Sequence, residues 1–345
     1  MRYGRLGRTN LQVSTIGFGG IPIRRLERSE GVRIVRRAFD LGVTYYDTAR
    51  GYGDSEGMMG EALEGHRHEV VLASETPSVS REEALADLEQ SLRTLRTDYI
   101  DLYQLHNVSE EDRFAKVMGP GGALEALHEA QRAGKVRFLG ITSHKRPLGL
   151  KGIESGAFDT LMLPFSYLES EAMEGVLPRC RELDTAFICM KPFSGGALAA
   201  PTQCLKWVLG QGVDVVIPGV GSLAELEEDV AVADTSWSLG PADLALLESE
   251  GAEVGKTFCR RCDYCRPCTN EIPISEVLHS LSLLRRQGPN YMANGQYERI
   301  LGWVESCTQC RECEPRCPYN LAIPELLRQR LNEIQLNLRA AGWKV

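Results

Sequence analysis

The chain has 345 residues, 43% hydrophobic and 25% charged, an ordinary balance for a globular protein. No apolar run reaches the length of a membrane span, and the opening MRYGRLGRTNLQV has no signal-peptide core, so a cytoplasmic protein with no membrane partner is expected. Residues 1–255 carry 26 Lys and Arg against 38 Asp and Glu, which argues against a nucleic-acid partner; residues 256–345 carry 13 against 9.

From Val13 to about Val230 a strand-then-helix pattern recurs at roughly 30-residue intervals. The β-rich runs are VSTIGFGG, GVTYYDTA, EVVLAS, YIDLYQLH, VRFLGITS, DTLMLP, TAFICM and DVVIPG. Helical stretches lie between them at Glu30–Leu41, Arg81–Leu95, Gly122–Ala133, Glu171–Leu183 and Leu223–Val232. Eight such repeats predict an α/β fold, a (β/α)8 TIM barrel over residues 1–250. An open doubly wound sheet would more often show G-x-G-x-x-G after its first strand, and GFGGIP lacks that spacing. In a barrel, function gathers at the C-terminal strand ends, which selects Asp47, Glu75, His106, Thr142, Ser143, Lys191 and Gly219. Asn107–Gly121 and Pro192–Ala200 are expected to be loops, the first long enough for a lid.

Residues 251–258 read as a linker. Beyond them, residues 259–345 alternate cysteine groups with helices near Ile274–Arg286 and Pro324–Leu338. The first group, CRRCDYCRPC, holds Cys259, Cys262, Cys265 and Cys268. The second, CTQCRECEPRCP, holds Cys307, Cys310, Cys313 and Cys317 followed by Pro318. Three thiolates at three-residue spacing wrap one cubane cluster, and in two-cluster ferredoxins the fourth comes from the other group. Two [4Fe–4S] clusters are therefore expected, one on Cys259, Cys262, Cys265 and Cys317, the other on Cys307, Cys310, Cys313 and Cys268. Uncrossed ligation and a pair of zinc knuckles are the alternatives. Arg260, Arg261, Arg266, Arg311 and Arg316 interleave with the cysteines and would offset cluster charge. Cys180, Cys189 and Cys204 read as core residues.

The segments YGRLGRTNLQVSTIGFGG, DTARGYGDSE, DYIDLYQLH, GKVRFLGIT and VIPGVGSLAELEED resemble the aldo-keto reductases across nearly all of residues 1–250. With both cysteine groups, the whole chain resembles the branch bearing an α-helical ferredoxin-like iron–sulfur domain. The resemblance implies hydride transfer between a nicotinamide and a small carbonyl, alcohol or sugar-like substrate. It makes Tyr52 the general acid, five residues after Asp47, and His106 the group that orients substrate oxygen. A phenol is a weak acid at neutral pH, and the family assists it with a lysine paired to the aspartate.

Here that lysine's segment reads VVLASETPS and the position holds Glu75. An anion beside Asp47 raises carboxyl pKa values and disfavours a tyrosinate. Lys191, in ICMKPFSGGAL, is a substitute cation at the strand-seven end, and a protonated Glu75 is the other way to supply an acid. For the cofactor, the resemblance places Thr142 and Ser143 at the carboxamide, Phe193 as a ring that stacks or packs, Gly219, Gly221 and Ser222 at the phosphate, and Asp229 near the adenine. No Lys or Arg stands at Gly221, which favours NADH over NADPH; flavin is the rival cofactor. Hydride moves two electrons and a cluster one, so coupling the two needs another carrier or a redox partner protein. A non-catalytic redox protein on an altered barrel, and a lyase or isomerase, stay open as alternatives.

Overall fold

The computed structural model describes the backbone of residues 1–345 and every side chain except those of residues 286 and 287. It divides into two compact units: Met1–Ser194 with Ala199–Leu247, and Glu248–Val345 with Gly195–Leu198.

The first unit opens with an antiparallel hairpin, β1 (Tyr3–Arg5) and β2 (Gln12–Ser14). Eight strands then pair in parallel, each with the next: β3 (Phe18–Gly19), β4 (Tyr45–Asp47), β5 (Val71–Thr76), β6 (Ile100–Leu105), β7 (Val136–Thr142), β8 (Thr160–Pro164), β9 (Ala186–Met190) and β10 (Val215–Ile217). The sheet closes on itself. Gly17 N–H donates to Val216 O at 2.8 Å, Gly19 N–H donates to Pro218 O at 2.9 Å, and parallel bridges join Ile16 to Val216 and Gly19 to Gly219. The helices of this unit are α1 (Arg28–Asp40), α2 (Ser55–Ala62), α3 (Arg81–Thr94), α4 (Glu111–Met118), α5 (Ala123–Arg132), α6 (Arg146–Glu154), α7 (Val176–Glu182), α8 (Pro201–Gly210) and α9 (Leu223–Ala231). α10 (Pro241–Val254) spans the division between the units.

Strand alternation sorts the core into two clusters. Tyr45, Val71, Ala73, Leu102, Ile188 and Val215 fill the barrel interior, joined by Leu6 and Val13 from the hairpin. Tyr46, Leu72, Tyr103, Leu139, Leu161 and Phe187 sit with the buried helix residues in the outer cluster. The period of two therefore puts Asp47, Glu75 and Gln104 in the same inward series as Tyr45, Ala73 and Leu102.

Three expectations need correction. The run Val13–Gly20 is not one strand: Gln12–Ser14 pairs with Tyr3–Arg5, and only Phe18–Gly19 forms the barrel strand. Asn107–Gly121 contains α4, because Phe114 and Val117, three residues apart, share one buried face. Gly251–Val254, expected as linker, is the last turn of α10.

The second unit is built from α11 (Ile274–Gln287), α12 (Gln296–Glu305) and α13 (Ile323–Ala340). α12 stands between the two predicted helices, where the sequence pattern raised no expectation of one. Val277, Leu281, Ile300, Leu327, Ile334 and Leu338 form the centre of its core, to which Cys265, Cys313 and Cys317 also belong. Among the described residues no helix is long and apolar enough to cross a membrane.

Candidate functional site

Asp47 ends β4 and Glu75 is the penultimate residue of β5; both are buried, at 3% and 1% exposure. Gln104, on β6, donates from Nε2 to Asp47 Oδ2 at 3.1 Å. Thr142, the last residue of β7, donates from Oγ1 to Glu75 Oε2 at 2.8 Å. The Tyr52 hydroxyl reaches Glu75 Oε1 at 3.5 Å, and His106 Nε2 lies 3.9 Å from Glu75 Oε2. The Tyr52 and His106 rings meet edge to face, 5.6 Å between centroids at 89°. His106 Nδ1 is buried with no hydrogen-bond partner among the described residues. Sequence reasoning thus located Asp47, Tyr52, Glu75, His106 and Thr142, which the barrel brings together, but missed Gln104. Its signal was a polar residue two positions before the strand-end His106, on the same face. Gly140 makes room for it: a Cβ there would stand 2.9 Å from Gln104 Cγ and 2.5 Å from Thr160 Oγ1.

The loop carrying Tyr52 is held from behind. Arg50 N–H donates to Glu75 O at 3.0 Å, and the Arg50 guanidinium pairs with the fully buried Glu56, which also accepts from Ser74 Oγ at 2.7 Å. Buried pairs of this kind cost several kcal/mol when one partner is removed. Electrostatically the mouth is unusual for a group of acids. Burial, and then the charge of Glu75, push the Asp47 carboxyl well above its ordinary range, against a smaller opposing effect of the Gln104 hydrogen bond. The buried Asp47–Glu75 pair therefore retains a proton where an exposed aspartic acid would have lost it.

Lys191 follows β9 in a left-handed conformation, φ 57°, and is partly exposed. Phe193 is partly buried and packs against the outer core of the barrel. Ser143 is buried, and its Oγ accepts from Lys145 N–H at 3.0 Å while lying 3.3 Å from Ser109 Oγ, so it braces its own loop.

At the β10–α9 junction, Gly219 and Gly221 approach Pro22; a Cβ on Gly219 would stand 3.0 Å from its ring. Ser222 caps α9, its Oγ accepting from Glu225 N–H at 3.2 Å. The Glu225 carboxylate in turn accepts from Gly221 N–H at 2.7 Å. This is a capping-box variant shifted by one residue, legible in the S-x-x-E spacing but not recognised there. The N–H expected to meet a phosphate is engaged by an anion of the chain itself. Asp229, four residues on, is buried, and its pKa is raised to about 8, chiefly by burial and then by Glu228 and Glu225.

In the second unit, Cys268, Cys307, Cys310 and Cys313 line one concavity, beside Ile272, Pro324 and Leu327. Cys317, from the other segment, lies within Coulombic reach of Cys262, which with Cys259 acts on Cys265. Among the described residues no three Cys, His, Asp or Glu converge as ligands of a single ion. Four cysteines that line one concavity without converging on a single point suit a multi-atom cluster better than one tetrahedral zinc, which would draw its sulfurs to within about 3.8 Å of one another. Burial raises the free thiols, Cys259 to about 11 and Cys265 to about 12, so ligation must displace their protons.

Fold and site together define a barrel oxidoreductase with an iron–sulfur unit attached. Residues 15–203 match the aldo/keto reductase family, and residues 258–322 match a 4Fe-4S dicluster domain. The chain belongs to the aldo/keto reductase family, consistent with the branch that carries an iron–sulfur domain. Among known proteins it is similar to the L-galactose dehydrogenase of Arabidopsis thaliana, 26% identical over 71% of this chain and 92% of that one. It is also similar to the uncharacterized oxidoreductase YqkF of Bacillus subtilis, 28% identical over 57% of this chain and 67% of that one. In fold it is similar to the aldo-keto reductase AKR11C1 of Bacillus halodurans, with a TM-score of 0.63 at 22% identity over 72% of this chain and 96% of that one. The aldo-keto reductase of Klebsiella pneumoniae solved in complex with NADPH gives a TM-score of 0.62 at 22% identity, over 72% of this chain and 95% of that one.

Proposed function

We propose that the chain interconverts an alcohol and a carbonyl on a small, sugar-like molecule, using a nicotinamide nucleotide, with a carboxyl pair in place of a lysine behind the tyrosine. The observation that carries this is the contact of the Tyr52 hydroxyl with Glu75, whose charge helps to push the buried Asp47 carboxyl above its ordinary range. The nucleotide supplies or receives the hydride. Tyr52 holds the substrate oxygen and exchanges one proton with it. In oxidation the alcohol proton passes to the Tyr52 oxygen as the phenol proton passes to Glu75; in reduction both transfers reverse. His106 helps to orient that oxygen, and Gln104 and Thr142 keep the carboxyls in register. Lys191 lies on the loop after β9 as a further cation for nucleotide or substrate. Thr142, Ser143 and Phe193 are assigned to the nicotinamide end, and Gly219, Gly221, Ser222 and Asp229 to the adenosine and phosphate end.

The similarity to an enzyme named L-galactose dehydrogenase supports a polyhydroxylated substrate and the oxidative direction. The experiment is turnover of an aldose and polyol panel with NAD⁺ by the anaerobically purified chain, beside carbonyl reduction with NADH. Stoichiometric NADH formation is the expected result. Tight nucleotide binding with no turnover in either direction would leave a non-catalytic barrel instead.

For the nucleotide, Glu225 supports NADH over NADPH, because its carboxylate holds Gly221 N–H and repels a further phosphate. The Glu225→Gln variant should bind NADPH roughly tenfold more tightly, about 1.4 kcal/mol, just under the 1.5–3 kcal/mol scale of a hydrogen bond to a charged group. Equal NADPH dissociation constants for the variant and the wild type, read by fluorescence titration, would remove this role.

The second unit holds two [4Fe–4S] clusters in this reading, on Cys259, Cys262, Cys265 and Cys317, and on Cys307, Cys310, Cys313 and Cys268. The shared concavity and the Cys262–Cys317 proximity support crossed ligation. Hydride transfer itself needs no cluster. Coupling to one would require a flavin or a redox partner protein that divides the electron pair.

A further inference from the structure

α13 runs past both groups of cysteines, and it presents different chemistry to each. Pro324 and Leu327 line the concavity of Cys268, Cys307, Cys310 and Cys313. Three residues further on the same side of the helix comes Arg330, which lies within Coulombic reach of Cys259. Its side chain is only 15% exposed, enclosed by a core to which Leu331, Ile334 and the cysteines themselves contribute. Glu333 neutralises part of its charge through a 2.7 Å contact with Nη1. The Nε–H, however, is buried with no acceptor among the described residues. A buried guanidinium donor left without a partner is costly, and a nearby sulfur anion would satisfy it.

The arginines around the other concavity differ. Arg311 is half exposed and committed to Glu314 and Glu325. Arg316 donates from Nε to Glu312 O and from Nη1 to Pro267 O, both at 2.8 Å. Their charges are screened by water and by partners, whereas that of Arg330 is enclosed.

We propose that Arg330 sets the reduction potential of the cluster held by Cys259, Cys262 and Cys265, raising it above the value that burial alone would give. One-electron reduction adds a negative charge to a cluster that is already anionic. A buried cation and an N–H donor to sulfur both stabilise the reduced form more than the oxidised one. Glu333 opposes this, so Arg330 and Glu333 act on one cluster with opposite signs. The inference rests on the proposed cluster at Cys259, Cys262 and Cys265, whichever cysteine completes it.

The test is a potentiometric titration of the full chain, purified anaerobically, with the reduced clusters followed by electron paramagnetic resonance and iron and sulfide quantified in every sample. Arg330→Gln should shift one midpoint potential to more negative values and leave the other in place. Glu333→Gln should shift the same midpoint to more positive values, and Arg330→Lys should keep most of the wild-type potential. Unchanged midpoints in both glutamine variants, or equal movement of both clusters, would overturn the role of Arg330. If Arg330→Gln loses iron, Glu333→Gln decides alone: a positive shift of one cluster supports the role, and no shift overturns it. A wild-type chain that holds no iron–sulfur cluster would overturn the cluster assignment, and this inference with it.

Discussion

Tyr52→Phe is expected to lower kcat/KM by about 10²–10⁴ in both directions, the usual contribution of a positioned acid–base group, while leaving nucleotide affinity unchanged. That corresponds to about 3–5 kcal/mol of barrier. Phenylalanine keeps the edge-to-face contact with His106, so the loss would report the missing hydroxyl rather than a collapsed mouth. The pH dependence should follow the carboxyl pair. Asp47 is raised by burial first and by Glu75 second, so the folded site retains a proton at pH values where a free aspartic acid, with a pKa near 3.9, has lost it. Reduction, which consumes that proton, should weaken as pH rises through the apparent pKa of the pair, and oxidation should strengthen over the same window. The inflection belongs to the pair and not to either residue. Glu75→Gln preserves the shape but removes one charge and the proton acceptor. It should lower oxidation sharply and move the remaining inflection toward lower pH. Parallel pH profiles for the wild type and Glu75→Gln would show that the tyrosine proton takes another route.

Removal of the clusters should unfold the second unit and spare the barrel. Cys265, Cys313 and Cys317 are members of that unit's hydrophobic core, and the segments bearing the cysteines, 255–273 and 306–322, contain neither helix nor strand. Their conformation therefore depends on ligation. Structural metal sites contribute on the order of 10 kcal/mol to folding, comparable with the whole stability of a domain. Calorimetry of the intact chain should show two transitions, of which chelation or air oxidation abolishes one. Cys317→Ser and Cys268→Ser provide the finer test. With crossed ligation, Cys317→Ser removes the cluster of Cys259, Cys262 and Cys265, and Cys268→Ser removes the other. Loss of the opposite cluster in each case would establish uncrossed ligation.

Much of the candidate site's layout is local in origin. Asp47, Glu75 and His106 were found because strand periodicity and the barrel rule together fix which residues stand at the mouth. The expectation that Glu75 stands where the family has a lysine rests on one segment, ASETPS. Gln104 was overlooked although the same period places it inward, because it lies inside a strand and carries no motif. Glu225 was overlooked for a different reason. Its spacing from Ser222 was readable, but the bond to Gly221 depends on the loop turning back over the first turn of α9. α4 was hidden by polar flanks, and its identity rested on two apolar side chains needing cover.

The sequence by itself determined the repeating strand–helix order, the inward series of polar residues and the two cysteine groups, since each is a periodicity or spacing of neighbouring residues. Only the tertiary structure decided what those residues meet. Periodicity says which face a side chain takes but not the stagger between strands, and it was the stagger and curvature of the sheet across β6 that brought Thr142 against Glu75 across 67 positions of sequence. Likewise, nothing in the C-terminal helix announced Arg330. Its proximity to Cys259 arises from how α13 lies along both cysteine segments, where packing, rather than the composition of any one element, sets the distance between charges.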